Sequence, residues 1–148
     1  MRKFLSPILN VINLILVSIA WGLSGQTAVN DIGVNNKIAS GNIYEVIWKG
    51  SNANIVAIIG FFLFCVACLG MLIVFLPMKV RKFVACCTGL MFAGAGVLFL
   101  LSPKFYDRGS GQFEPTGILI AISVLILVAA LFSLCIAAFE FFREKESK

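Results

Sequence analysis

The sequence predicts an all-α membrane protein: a four-transmembrane-helix antiparallel bundle with both termini cytoplasmic and a longer first extracellular loop. Three observations predict it. The 148 residues are 60% apolar and only 13% charged, with a mean hydropathy of +1.01; an ordinary soluble domain is about half apolar and about a quarter charged. Four apolar runs of about 19–26 residues take up most of the chain, and a helix needs roughly 20 to cross the hydrocarbon core. The basic residues gather on one side of the topology that those runs define. The runs lack the period-2 alternation of a membrane barrel, which leaves helices as the way to satisfy the backbone in lipid. Nearly all of residues 1–148 is needed for the spans, so a single integral membrane domain is expected.

The first span is Phe4–Gly25, with Arg2 and Lys3 before it. Its apolar run is longer than the about 7–15 residues of a signal-peptide core, and no small-residue cleavage site follows Trp21, so a retained helix is expected. Pro7 is placed in its first turn, where a missing N–H costs nothing. The outer loop 26–52 is rich in Asn and Gly and should be largely turn. Its centre, NIYEVIWKG, is rich in β-branched and aromatic residues, which suits a short strand or a segment at the membrane interface. Tyr44 and Trp48 fit the headgroup level, either as an anchor for the loop or as a partner contact.

The second span, Ala53–Met78, is closed by Pro77, and KVRK makes an inner turn at 79–82. The third span is Phe83–Leu101, with Pro103 just beyond it. In the outer loop 102–115, Glu114-Pro115-Thr116 reads as a helix start, with an acid near the positive end of the helix dipole. The fourth span, Thr116–Phe139, leads into a tail at 140–148, with Glu140 at the cytoplasmic border.

Charge orients the spans. Eight of the twelve basic residues fall at the termini and the 79–82 turn, where three glutamates leave a net charge of +5. The two outer loops balance four basic against four acidic residues. Basic residues near span ends stay cytoplasmic, so a plasma-membrane protein with both termini inside is expected. The net charge follows from topology, with attraction to anionic lipid as a secondary effect. The chain has no His and no basic-aromatic cluster in a polar context, so a nucleic-acid partner has no support.

Cys65 and Cys68 have Cys-x-x-Cys spacing, but all five cysteines lie in apolar runs and none in a loop. Cys65 lies about 18 Å into the second span at a rise of ~1.5 Å per residue. Thiol exchange needs a thiolate and a partner thiol within reach, and hydrocarbon disfavours the thiolate. Zinc needs about four converging ligands. The cysteines are therefore expected to pack as small apolar side chains, with no cofactor and no metal.

The polar residues of the first span carry more information. Ser6, Asn10, Asn13, Val17, Ala20 and Ser24 recur at spacings of three and four and share a face. An amide in hydrocarbon needs a partner, so this face should turn into the bundle. Ser6, Asn10 and Asn13 then serve either to join helices or to line a pocket for a small solute or lipid. Ala85, Gly89, Ala93 and Gly96 on the third span, with Ala129, Ser133 and Ala137 on the fourth, form small-residue rows. Such rows let helices approach closely, within one chain or between copies. No Asp, Glu, Lys, Arg or His lies within the four runs. Ion-coupled pathways and hydrolytic sites normally require such groups, so catalysis is not expected.

The layout, SGNIYEVIWKGSN before the second span, the KVRK turn and GAGVLFLLSPKF closing the third together resemble uncharacterised small four-span membrane proteins of Gram-positive bacteria. That resemblance covers most of the chain and implies the fold but no site. The layout is also similar to that of claudin-type tetraspans, which carry a tryptophan motif and a cysteine pair in the first outer loop; here that loop has Trp48 and no cysteine. The expected function is that of a non-catalytic accessory, assembly or lipid-interacting protein. Its partners would be membrane lipids, another membrane protein or a second copy of itself. A small-solute or lipid transporter using the Ser6, Asn10 and Asn13 face is the alternative, and a thiol redox enzyme at Cys65 and Cys68 a second.

Overall fold

The computed structural model describes residues 2–32, 38–44, 54–72, 78–105 and 112–146. It contains four main helices: α1 (Arg2–Leu23), α2 (Ile55–Gly70), α3 (Met78–Leu101) and α4 (Gly117–Glu146). Three of them hold stretches long and apolar enough to cross a membrane: Leu5–Leu23, Val80–Lys104 and Gly117–Arg143. The fourth, α2, is equally apolar but has 16 residues, about 24 Å at 1.5 Å per residue. Met71 and Leu72 extend it as a tighter turn. Residues 73–77 of the expected second span lie outside the described residues.

Several boundaries differ from expectation. KVRK, read as an inner turn, lies within α3, whose helix starts at Met78. Lys and Arg are good helix formers, and a proline at position 77 is compatible with a helix that begins just after it. Pro7 sits inside α1, because the helix already begins at Arg2. At the other end, α4 continues through the tail to Glu146, so Glu140 is a helical residue.

Within the bundle, α4 packs against α3 and α1, and α3 against α2. The aromatic centre is Phe64, whose ring lies 5.3 Å from Trp21, 6.0 Å from Phe92 and 6.5 Å from Phe99. The close approach of α3 to α4 depends on glycine. A Cβ built on Gly89 would lie 2.8 Å from Leu134 Cγ and 3.2 Å from the Ala130 carbonyl oxygen. On Gly96 it would lie 2.8 Å from Leu127 Cγ and 3.2 Å from the Ser123 carbonyl oxygen. Ala93 is half-buried and packs against the main core. This face is thus occupied within the chain. The outward faces are apolar on every helix: Val11, Phe62, Leu90 and Leu131 are each more than half exposed. A soluble protein rarely shows such continuous apolar surface, whereas lipid is a suitable solvent for it.

Both inter-helix loops at the α1 exit meet in a sheet that the sequence did not announce. The strands are β1 (Val29–Ile32), β2 (Ile38–Gly41) and β3 (Gln112–Pro115), antiparallel in the order β2-β1-β3. Val29 stands opposite Gly41 on one side and Pro115 on the other. The Thr116 hydroxyl donates to the Thr27 and Ala28 carbonyls, both at 2.8 Å, and the Thr116 N–H also donates to Ala28. β2 precedes NIYEVIWKG, the segment expected as a short strand or an interfacial stretch: Ile43 and Tyr44 are helical, and residues 45–50 lie outside the described residues. Glu114 and Pro115, read as a helix start, end β3 instead, and the helix begins after Thr116.

Candidate functional site

Ser6, Asn10 and Asn13 are all buried on the inward face of α1. The Asn10 amide donates to the Met71 carbonyl at 2.9 Å, just past the end of α2. The Asn13 amide donates to the Ser133 hydroxyl of α4 at 2.8 Å. One polar stripe therefore joins α1 to two other helices. Each bond uses the amide N–H side. The Asn10 and Asn13 carbonyl oxygens are buried without a hydrogen-bond partner, which normally costs about 1–3 kcal/mol per group.

The seam continues toward the end of the bundle that carries the termini. Glu140 is seven residues beyond Ser133 on α4, as Ser6 is seven before Asn13 on α1. The two helices run antiparallel, so both residues lie about 10 Å below the Asn13–Ser133 bond. Glu140 is 2% exposed. Its carboxylate oxygens accept no hydrogen bond. Arg81 approaches one from α3 at 3.6 Å, and Arg143 the other from one turn on at 3.8 Å. Glu140, expected at the cytoplasmic border just beyond the apolar run, is buried within the bundle near the end of the candidate span Gly117–Arg143. A signal for it was present in the sequence. Ile126, Ala129, Ser133, Ala137 and Glu140 succeed one another at spacings of three and four, and all five are buried.

At the opposite end, Tyr44 fastens the first loop to the bundle. Its ring stacks on Trp21 at 6.4 Å and meets Phe61 edge-on at 5.8 Å. Trp48, the other aromatic residue expected at the headgroup level, lies outside the described residues. Asn54 is the second fastening: it caps α2 by accepting from the Ala57 N–H and donates to the Ser102 carbonyl at 2.8 Å. A small cavity bounded by Ala28, Ile43, Phe99 and Leu119 lies among these parts. It is too small to hold a ligand.

Cys65 and Cys68 are half-buried on α2, and all five cysteines are unpaired. Among the described residues, no group of three His, Cys, Asp or Glu side chains is placed to hold a metal ion. No family model matches the chain, and no curated protein or solved structure was found to be similar to it.

Proposed function

We propose that this chain is a non-catalytic four-span protein of the plasma membrane, with both termini in the cytoplasm, that assembles with another membrane protein through its outer sheet. The observation that carries the proposal is the pairing of β1 with β3. It fuses two loops far apart in sequence into one platform, fixed to the helices by Thr116, Tyr44 and Asn54. A contact surface needs a fixed shape, and this pairing supplies one. Among the described residues, β2 and β3 are the outer strands of the sheet, and a sheet edge is a ready template for another chain. The test is native mass spectrometry of protein extracted gently from its own membrane. A defined hetero-complex is expected, dissolved by Tyr44→Ala with Trp48→Ala. A partner that survives the double substitution, or a chain found only alone, would refute the proposal.

One observation favours a second role, a small-solute path along α1: the buried, unpartnered carbonyl oxygens of Asn10 and Asn13 could accept from a passing hydrogen-bond donor. Asn10→Leu with Asn13→Leu would then abolish flux into proteoliposomes at unchanged folded yield. Loss of folded yield would mark these residues as helix-joining only.

A further inference from the structure

The seam between α1 and α4 is rich in buried acceptors and short of donors. Among the described residues, four buried side-chain polar atoms have no hydrogen-bond partner: Asn10 Oδ1, Asn13 Oδ1 and both Glu140 carboxylate oxygens. All four are acceptors. Glu140 is engaged by Arg81 and Arg143. The two amides lie deeper in the bundle, Asn10 4% and Asn13 0% exposed. Chemistry fixes how Asn10 is turned. The Met71 carbonyl can only accept, so the Asn10 N–H side faces it at 2.9 Å and the amide oxygen turns away. Asn13 is one turn further along the same face of α1, a spacing of about 5–6 Å between Cβ atoms. The Ser133 hydroxyl oxygen, 2.8 Å from the Asn13 amide nitrogen, is a third acceptor and keeps a second lone pair. The end of α2 completes the surroundings. That helix stops at Gly70, and its cap residue Met71 is the partner of Asn10, so the partly negative end of the α2 dipole abuts this face. Residues 73–77, which follow, are Ile-Val-Phe-Leu-Pro and carry no polar side chain.

We infer that Asn10 and Asn13, with Ser133 and the Met71 carbonyl at the end of α2, form a binding site for a single monovalent cation inside the bundle. Oxygens that lack donors, beside a helix C-terminus, suit a dehydrated cation; membrane transporters hold Na+ with unwound carbonyls and half-helix C-terminal ends. The ligands are neutral, which selects the charge of the ion. Calcium is held by carboxylates, and a double charge in an apolar interior needs matching negative charge. A site of neutral oxygens needs no ionisable residue, so the lack of such residues in the apolar runs does not weigh against it. The inference rests on the second reading above, that this face of α1 meets a ligand, and names the class of that ligand.

The test uses the full chain in phosphatidylcholine nanodiscs, with radioactive sodium and rubidium as probes of two sizes and choline chloride holding the ionic strength constant. Wild type should bind one ion per chain, saturably. Asn10→Leu with Asn13→Leu should weaken binding about tenfold or more, since even the outer partners of a metal ion are worth about 10–100-fold. Ser18→Ala, whose hydroxyl bonds its own helix on an exposed part of α1, should leave it unchanged. Thermal unfolding of wild type needs no variant: its Tm should be higher in sodium or potassium chloride than in equal choline chloride. No saturable binding of either ion, the same Tm in all three salts, or unchanged binding in the folded double variant would overturn the inference. Ion binding without flux into proteoliposomes would support the site and refute the solute path. Flux of a neutral solute without ion binding would support the path and overturn the cation site.

Discussion

At the scale of the residue, the decisive contact is Asn13 to Ser133. It is a neutral side-chain bond in the middle of an apolar bundle, 2.8 Å long and fully buried. Interhelical bonds of this kind average about 0.6 kcal/mol and reach about 1.7 kcal/mol in coupling. A double-mutant cycle with Asn13→Ala and Ser133→Ala should return a favourable coupling of about 0.5–1.5 kcal/mol, read from unfolding in lipid or detergent; no coupling would show that the bond does not hold α1 to α4. The need of Asn10 and Asn13 for partners was legible in the sequence, because amides in hydrocarbon must be satisfied. Their partners were not: Met71 contributes only a backbone carbonyl, which no sequence pattern marks. The burial of Glu140 was hidden for a different reason. Hydropathy falls away after Phe139, although the three-and-four spacing of buried residues on α4 continues past it to Glu140.

At the scale of the element, the glycines of α3 set the distance to α4. An added methyl at Gly89 or Gly96 meets the Cγ of a leucine and, on the other side, a backbone carbonyl oxygen that cannot turn away. Overpacking of this kind costs about 1–3 kcal/mol. Gly89→Ala and Gly96→Ala should each destabilise the bundle by that amount in thermal or denaturant unfolding, while Gly22→Ala, with open space around its Cβ, should not. The helices themselves were legible from length and apolarity, and their ends less so. The lysines and arginines of KVRK suit a helix as well as a turn, and charge alone does not decide between them. The strands were hidden because each has four residues. IASG carries little β-branched character, and β1 finds its second partner only in the other outer loop. Such pairing leaves no local periodicity to read.

At the scale of the whole molecule, two different ends arise from two different chemistries. One end is a sheet made of neutral loops. The other gathers the termini, Arg81, Lys82, Arg143 and the buried Glu140. Between them the exterior of the described helices is largely apolar, as a lipid-facing surface would be, and the buried amides of Asn10 and Asn13 turn inward. The asymmetry of charge that the sequence exhibits is thus also an asymmetry of architecture. On our proposal, the sheet lies outside and the charged end in the cytoplasm, since basic residues near span ends stay inside.

That orientation is the central claim, and thiol accessibility in intact cells tests it most directly. Single cysteines would be placed at Asn30, Glu114, Lys3 and Ser147 in a chain whose five native cysteines are replaced by alanine or serine. A membrane-impermeant maleimide should label Asn30→Cys and Glu114→Cys in intact cells. It should reach Lys3→Cys and Ser147→Cys only after the membrane is permeabilised. Labelling of either terminal position in intact cells, or protection of both sheet positions, would contradict the four-span arrangement.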